Sequence, residues 1–111
     1  MKILVTGATG RIGQNFVDEL LRRGHGVRAL VMPCDPERKR VEKPGVEIVE
    51  GLLTDRPSLV PAVDGVEAVY HLGALMPQGA TADALFEANI RGTYNLLEAV
   101  AAGAPARYRC D

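Results

Sequence analysis

Apolar residues along this chain occur in short runs that alternate with stretches of helical spacing. Ile3-Leu4-Val5 is a continuous apolar run bounded by glycine, the pattern of a strand buried on both faces. From Ile12 the spacing changes: Ile12, Phe16, Val17, Leu20 and Leu21 fall on one side of a helix. Arg22 and Arg23 suit the negative end of that helix, and Gly24 suits a left-handed cap. Val27 to Val31 reads as a second strand and Val46 to Val49 as a third, separated by prolines 33 and 36 and the charged stretch Glu37-Arg38-Lys39-Arg40. Thr54 or Asp55 opens a short helix with Pro57 in its first turn, which Pro61 keeps brief or distorted. Asp64-Gly65 is a turn, Val66 to Leu72 a fourth strand, and residues 73 to 81 a loop rich in Gly, Ala and Pro. A long helix follows from about Ala82 to Ala101, with Leu85, Phe86, Ile90, Leu96, Leu97 and Val100 among its apolar positions, and Gly103 and Pro105 end it.

Regular alternation of strand and helix predicts an α/β fold built on a parallel sheet with right-handed crossovers. The expected architecture is a partial doubly wound, Rossmann-like sheet in the order 3-2-1-4 with helices on both faces. A ligand crevice is expected at the carboxyl ends of strands one and four, where that order reverses. The 111 residues suffice for one small domain, and 47% apolar with 24% charged residues is ordinary for a soluble protein. A formal charge of −1 offers none of the basic surface that nucleic acid demands. Cys34 and Cys110 stand far apart with no metal-ligand spacing around them, which reads as two reduced thiols. The first strand begins within two residues of Met1, and no apolar run approaches the length of a membrane span, so the expected location is the cytoplasm.

The candidate chemistry sits in Thr6-Gly7-Ala8-Thr9-Gly10-Arg11-Ile12-Gly13, three glycines at three-residue spacing between a strand and a helix. Such a turn aims the unpaired N–H groups and positive dipole end of the helix at a ligand's phosphates. Gly7 serves the tight turn, Gly10 the approach of backbone to a pyrophosphate, and Gly13 the packing of helix on strand. No Gly-Lys-Ser or Gly-Lys-Thr follows, so the expected ligand is a dinucleotide and not a nucleoside triphosphate.

The glycine loop resembles the cofactor loop of the extended short-chain dehydrogenases/reductases, the NAD-dependent epimerase/dehydratase group. Tyr70-His71-Leu72-Gly73-Ala74 is similar to the end of that family's fourth strand, and Asn89-Ile90-Arg91-Gly92-Thr93 to its Asn-Val-x-Gly-Thr helix. The resemblance runs from residue 1 to about 103. It implies an NAD(P)-binding domain in which Gly7, Thr9, Gly10 and Gly13, with the backbone of Arg11 and Ile12, hold the pyrophosphate. It further implies that Leu53 lies against the cofactor, that Leu72, Gly73 and Ala74 line the ribose and nicotinamide side, and that Asn89 fixes the cofactor or the active-site end of its helix. His71 reads as a strand-end histidine in structural surroundings, and His25 as a solvent-exposed turn residue.

NAD and NADP both stay open. NAD-selective relatives place a carboxylate at the end of the second strand, where this chain has Val31, followed by Met32. Asp35 lies within reach of a ribose, while Arg11 or the Arg38-Lys39-Arg40 group is within reach of a 2′-phosphate; the missing carboxylate tilts the balance slightly to NADP. The family's chemistry is carried by a tyrosine four residues before a lysine, and no such pair stands here: Tyr70 leads to Ala74 and Tyr94 to Glu98, and no lysine follows Lys43. The isolated chain is therefore expected to be inactive, its substrate lobe absent, as if a longer protein had been cut short. Ala106 to Asp111 reads as a polar tail with little strand character, which would leave the fourth strand as an exposed edge open to homodimerisation. The function implied is the cofactor-binding portion of an epimerase, dehydratase or reductase acting on a hydroxyl or carbonyl substrate, nucleotide sugars included. The alternatives are a non-catalytic NAD(P)-binding or redox-sensing module, and an interaction fragment that pairs through its edge.

Overall fold

The computed structural model describes residues 1–73, 81–103 and 107–110, the last four as backbone. Strand β1 (Lys2–Thr6) leads into helix α1 (Arg11–Arg22), then β2 (Gly26–Val31), a 3-10 turn (Arg38–Val41) and β3 (Val46–Glu50). Helix α2 (Arg56–Val63) and strand β4 (Ala68–His71) follow. A helical stretch then comprises α3 (Ala82–Leu85), a π-helical segment (Phe86–Arg91) and α4 (Gly92–Gly103), and β5 (Arg107–Cys110) comes after it. All strand pairs are parallel, in the order β3-β2-β1-β4-β5. The expected 3-2-1-4 order is thus present, extended by one strand.

That fifth strand corrects the expectation of a polar tail: its backbone pairs along β4, from Ala68 opposite Arg107 to His71 opposite Cys110. Strand propensity fails here because an edge position imposes no apolar requirement on both faces, and polar residues are suited to sheet margins. The edges of the sheet are β3 and β5, so the edge expected on β4 is already covered.

The sheet separates two apolar layers. Ile3, Val5, Val27, Ala29 and Val31 face α1, where Val17 and Leu20 are buried against them. Leu4, Leu30 and Val69 point the other way, onto Leu59, Ala62 and Val63 of α2 and Leu96 and Ala99 of α4. This alternation along β1 is why its run is apolar throughout: both faces are covered by helices.

Helix α1 ends in a Schellman motif: the N–H of Gly24, at φ +85°, donates to Leu21 C=O and that of His25 to Leu20 C=O. His25 itself is half-buried and not the exposed residue expected of a turn, because its backbone is drawn under the helix end. Asp55 occupies the N-cap of α2 without a side-chain cap. Of the apolar positions read for the long helix, Phe86, Ile90 and Leu97 are exposed, whereas Leu96 is fully buried. The π segment adds a residue to the helical turn and rotates the stripe, which a pattern of 3.6 residues does not anticipate. Among the described residues, no helix is long and apolar enough to cross a membrane.

Candidate functional site

The carboxyl ends of β1 and β4 open on a cleft of about 350 Å³. β1 has β2 on one side and β4 on the other, so the cleft lies at the point where the strand order reverses. Its floor is the glycine loop, through Thr6, Gly7, Thr9 and Gly10. One wall is Leu72 and Gly73 after β4, with Ala88 from the π segment. The other comprises Leu30 and Met32 at the end of β2, Asp35, and the loop Gly51 to Thr54.

The loop can lie this close to the sheet only because two glycines meet in it. Gly7 has φ +69°, and a Cβ there would stand 2.6 Å from the backbone carbon of Leu72. A Cβ on Gly13 would lie 1.9 Å from the carbonyl oxygen of Gly7. Gly13, buried in the first turn of α1, is therefore pressed onto the turn, which brings the N-terminal end of the helix up against the glycine loop. Gly10 is exposed and precedes the helix as its N-cap, with no atom closer than 3.4 Å to a Cβ built on it.

Of the residues anticipated from sequence, Gly7, Thr9, Gly10, Leu53, Leu72 and Gly73 line the cleft. Gly13 packs against the Gly7 backbone beneath the loop, while Arg11 and Ile12 are exposed and do not line the cleft. Ala74 lies outside the described residues. Asn89 is half-buried beside the cleft-lining Ala88, and its carbonyl accepts the Thr93 hydroxyl at 2.7 Å.

Several cleft residues were not singled out as cofactor contacts by sequence: Thr6, Leu30, Met32, Gly51, Leu52, Thr54 and Ala88. Thr6 opens the glycine motif and Met32 follows the strand-end position weighed above, as does Asp35, whereas Leu30, Gly51, Thr54 and Ala88 bear no charge or motif position that would have marked them. Asp35 is brought back to the cleft by the 32–37 loop, which turns at Cys34 with φ +62°. Its Oδ2 accepts the Thr9 hydroxyl at 2.8 Å and its Oδ1 the Glu37 N–H at 2.8 Å. The neighbouring arginines are already engaged. Arg38 pairs with Glu50 at 2.6 Å, and Arg40 pairs with Glu37 at 2.8 Å and donates to the Thr9 carbonyl.

His71 is buried in structural surroundings, as the sequence reading expects. Its Nδ1 is 2.6 Å from Thr6 Oγ1 and its Nε2 3.0 Å from Thr93 Oγ1. Burial holds the imidazole below its ordinary pKa. A histidine lowered from 6.5 favours the neutral form on folding, so its stabilisation is complete above about pH 6.5 and is lost as pH falls toward the native pKa. The carboxylates whose pKa is lowered, Glu47 and Glu19 (held at about 2 by Arg22 and Arg23), lose their ion pairing only in more acidic solution. Denaturant melts are expected to show stability falling as the pH drops below about 6.5. A His71→Gln chain should be flat in that window; an equal slope there would exclude His71 as the source.

The NmrA-like family model matches residues 1–103. The chain belongs to the NmrA-like family. It is 39% identical over 99 residues to the 2-alkyl-3-oxoalkanoate reductase of Stenotrophomonas maltophilia, covering 89% of this chain and 29% of that protein. It is 34% identical over 110 residues to a 3 beta-hydroxysteroid dehydrogenase/Delta 5-->4-isomerase of Mycobacterium tuberculosis, covering 88% of this chain and 28% of the other. The fold superimposes on the UDP-glucose 4-epimerase of Thermus thermophilus, solved in complex with NAD, with a TM-score of 0.86 and 30% identity. That match covers 97% of this chain and 36% of the epimerase chain. The resemblance to extended short-chain dehydrogenases/reductases therefore holds for sequence and fold alike. This NmrA-like chain spans less than a third of the length of the curated relatives just named.

Proposed function

We propose that this NmrA-like chain binds NAD and supplies the cofactor half of an oxidoreductase or epimerase that acts on a hydroxyl or carbonyl group. The observation that carries this reading is the cleft at the strand-order reversal, floored by the glycine loop, with Gly13 of α1 packed against the backbone of Gly7. Gly7, Gly10 and Gly13, with the N–H groups of Arg11 and Ile12, hold the pyrophosphate. Thr9 fixes Asp35, Leu53 lies against the cofactor, and Leu72 with Gly73 lines its ribose and nicotinamide side. Asn89 supports the wall from its helix. The named reductase and dehydrogenase relatives and the NAD-bound epimerase support the same class.

Asp35 favours NAD over NADP in this reading, against the slight tilt to NADP that the missing strand-end carboxylate gives. Its carboxylate, fixed by two donors, keeps lone pairs free for ribose hydroxyls and repels a 2′-phosphate. Two of the four cations named as within reach of that phosphate, Arg38 and Arg40, are paired with Glu50 and Glu37. Calorimetric titration is expected to give saturable NAD⁺ binding below roughly 1 mM and NADP⁺ binding about tenfold weaker. Asp35→Asn should narrow that ratio severalfold. Absence of saturation by NAD⁺ would refute the cofactor reading, and tighter NADP⁺ binding would refute the role of Asp35. No tyrosine in the chain precedes a lysine by four residues, so no hydride transfer is expected from these residues alone.

A further inference from the structure

His71 closes a chain of hydrogen bonds whose proton positions are fixed by the partners at its ends. The Thr93 hydroxyl has one proton, and it is donated to the Asn89 carbonyl at 2.7 Å. Thr93 Oγ1 is thus an acceptor toward His71 Nε2, which must carry the imidazole proton. His71 Nδ1 is then the acceptor for the Thr6 hydroxyl, and Thr6 Oγ1 in turn accepts the Gly73 N–H at 3.0 Å. The sequence Gly73 N–H, Thr6, His71, Thr93, Asn89 C=O is fully satisfied with a neutral imidazole and with only one tautomer.

This line joins the three pieces of the cleft wall. Thr6 and Gly73 line the cleft themselves, and Asn89 is bonded directly to Ala88, which lines it from the helix. We propose that neutral His71 is a positioning residue for the cofactor wall, holding the Leu72–Gly73 segment and the π segment to the glycine loop, and that its protonation loosens the wall and weakens NAD. The inference rests on the cofactor reading above.

The geometry gives the reason. A proton on Nδ1 would need Thr6 Oγ1 as its acceptor, while that oxygen already accepts from Gly73. The Thr6 hydroxyl proton would then be left without a partner on a side chain with no exposed surface. The groups facing the imidazole are the Thr6 hydroxyl from β1 and the Thr93 hydroxyl from α4. Among the described residues no charged side chain contributes to its titration, so no carboxylate stands ready to stabilise the cation.

The test combines imidazole ¹⁵N spectra with NAD⁺ titrations at several pH values, far-UV circular dichroism confirming the fold at each. The spectra should show a protonated Nε2 and a bare Nδ1 at about pH 7.5. NAD⁺ affinity should be constant above about pH 7 and fall about three- to tenfold by pH 5. Thr93→Val, which keeps the shape and removes the acceptor, should weaken NAD⁺ several-fold, and Thr93→Ser should restore it. A purely packing role reverses that order, because serine lacks the methyl group that valine retains. Affinity that is flat with pH, an Nδ1–H tautomer, or a Val variant that binds like the parent overturns the positioning role while leaving NAD binding intact. Failure of the unaltered chain to bind NAD⁺ at any pH overturns the cofactor reading, and this inference with it.

Discussion

Gly13→Ala is expected to destabilise the chain by roughly 3 kcal/mol or more and to abolish measurable NAD⁺ binding. The added methyl would sit 1.9 Å from Gly7 O, 2.8 Å from Gly7 C and 2.9 Å from Ala8 Cα. All three are backbone atoms of a turn that is itself held against Leu72, so no flexible side chain can yield. Relief requires α1 to move off the turn, which uncovers the buried Val17 and Leu20 and displaces the helix N-terminus from the cleft. Gly10→Ala is the informative contrast. Its methyl meets only Gly7 O, at 3.4 Å, and falls at an N-cap where alanine for glycine costs little, about 1 kcal/mol or less. Gly10→Ala should therefore melt close to the parent chain and still lose roughly tenfold or more in NAD⁺ affinity, since the methyl occupies the approach to the phosphates. Thermal melts with calorimetric titration separate the two glycines. Equal losses of stability in both variants would mean that the glycine loop is a packing device alone.

How far the site could be read in the sequence depends on the range of the interaction. The glycine loop was legible because strand, turn and helix are contiguous, so each glycine's duty follows from its neighbours. The Asn89 to Thr93 motif was legible only as a resemblance. The structure supplies its physics: a Cβ on Gly92 would lie 2.9 Å from Leu53 Cβ, Thr93 anchors His71, and the Asn89 carbonyl receives the Thr93 hydroxyl. Leu53 and His71 both lie far from that motif in sequence. Asp35 was recognised as able to reach a ribose, yet its placement depends on a left-handed residue at Cys34, a conformation that composition does not announce. The π segment was illegible because local spacing reads it as ordinary helix. Strand β5 was missed because its pairing is decided by the open edge of β4 and not by its own residues.

Arg28 was missed altogether, because a charged residue within an apolar strand of a parallel sheet reads as noise. It lies in β2 with a side chain only 12% exposed. Its Nη1 donates to the carbonyls of Pro61, Ala62 and Asp64, at 3.2, 2.9 and 2.6 Å, and its Nε to Glu47 at 3.1 Å. The three carbonyls are the end of α2, a helix of eight residues interrupted by a proline, with no basic side chain in its last turn. Arg28 therefore supplies from the sheet the cation that the helix's own sequence lacks. Glu47 is held below the ordinary carboxylate range by Lys2 and then Arg28, which joins β1, β2 and β3 at this end of the sheet. Arg28→Ala should cost about 2–3 kcal/mol and lower the melting temperature by about 10–20 °C. Arg28→Lys, with one ammonium in place of a fork, should fall between the two. Because Arg28 is not among the residues lining the cleft, NAD⁺ affinity of the folded Arg28→Ala chain should stay within about twofold of the parent's. A melting temperature unchanged within a degree or two would show that water caps α2 equally well. A matching loss of NAD⁺ affinity would show that the end of α2 and the cleft move together.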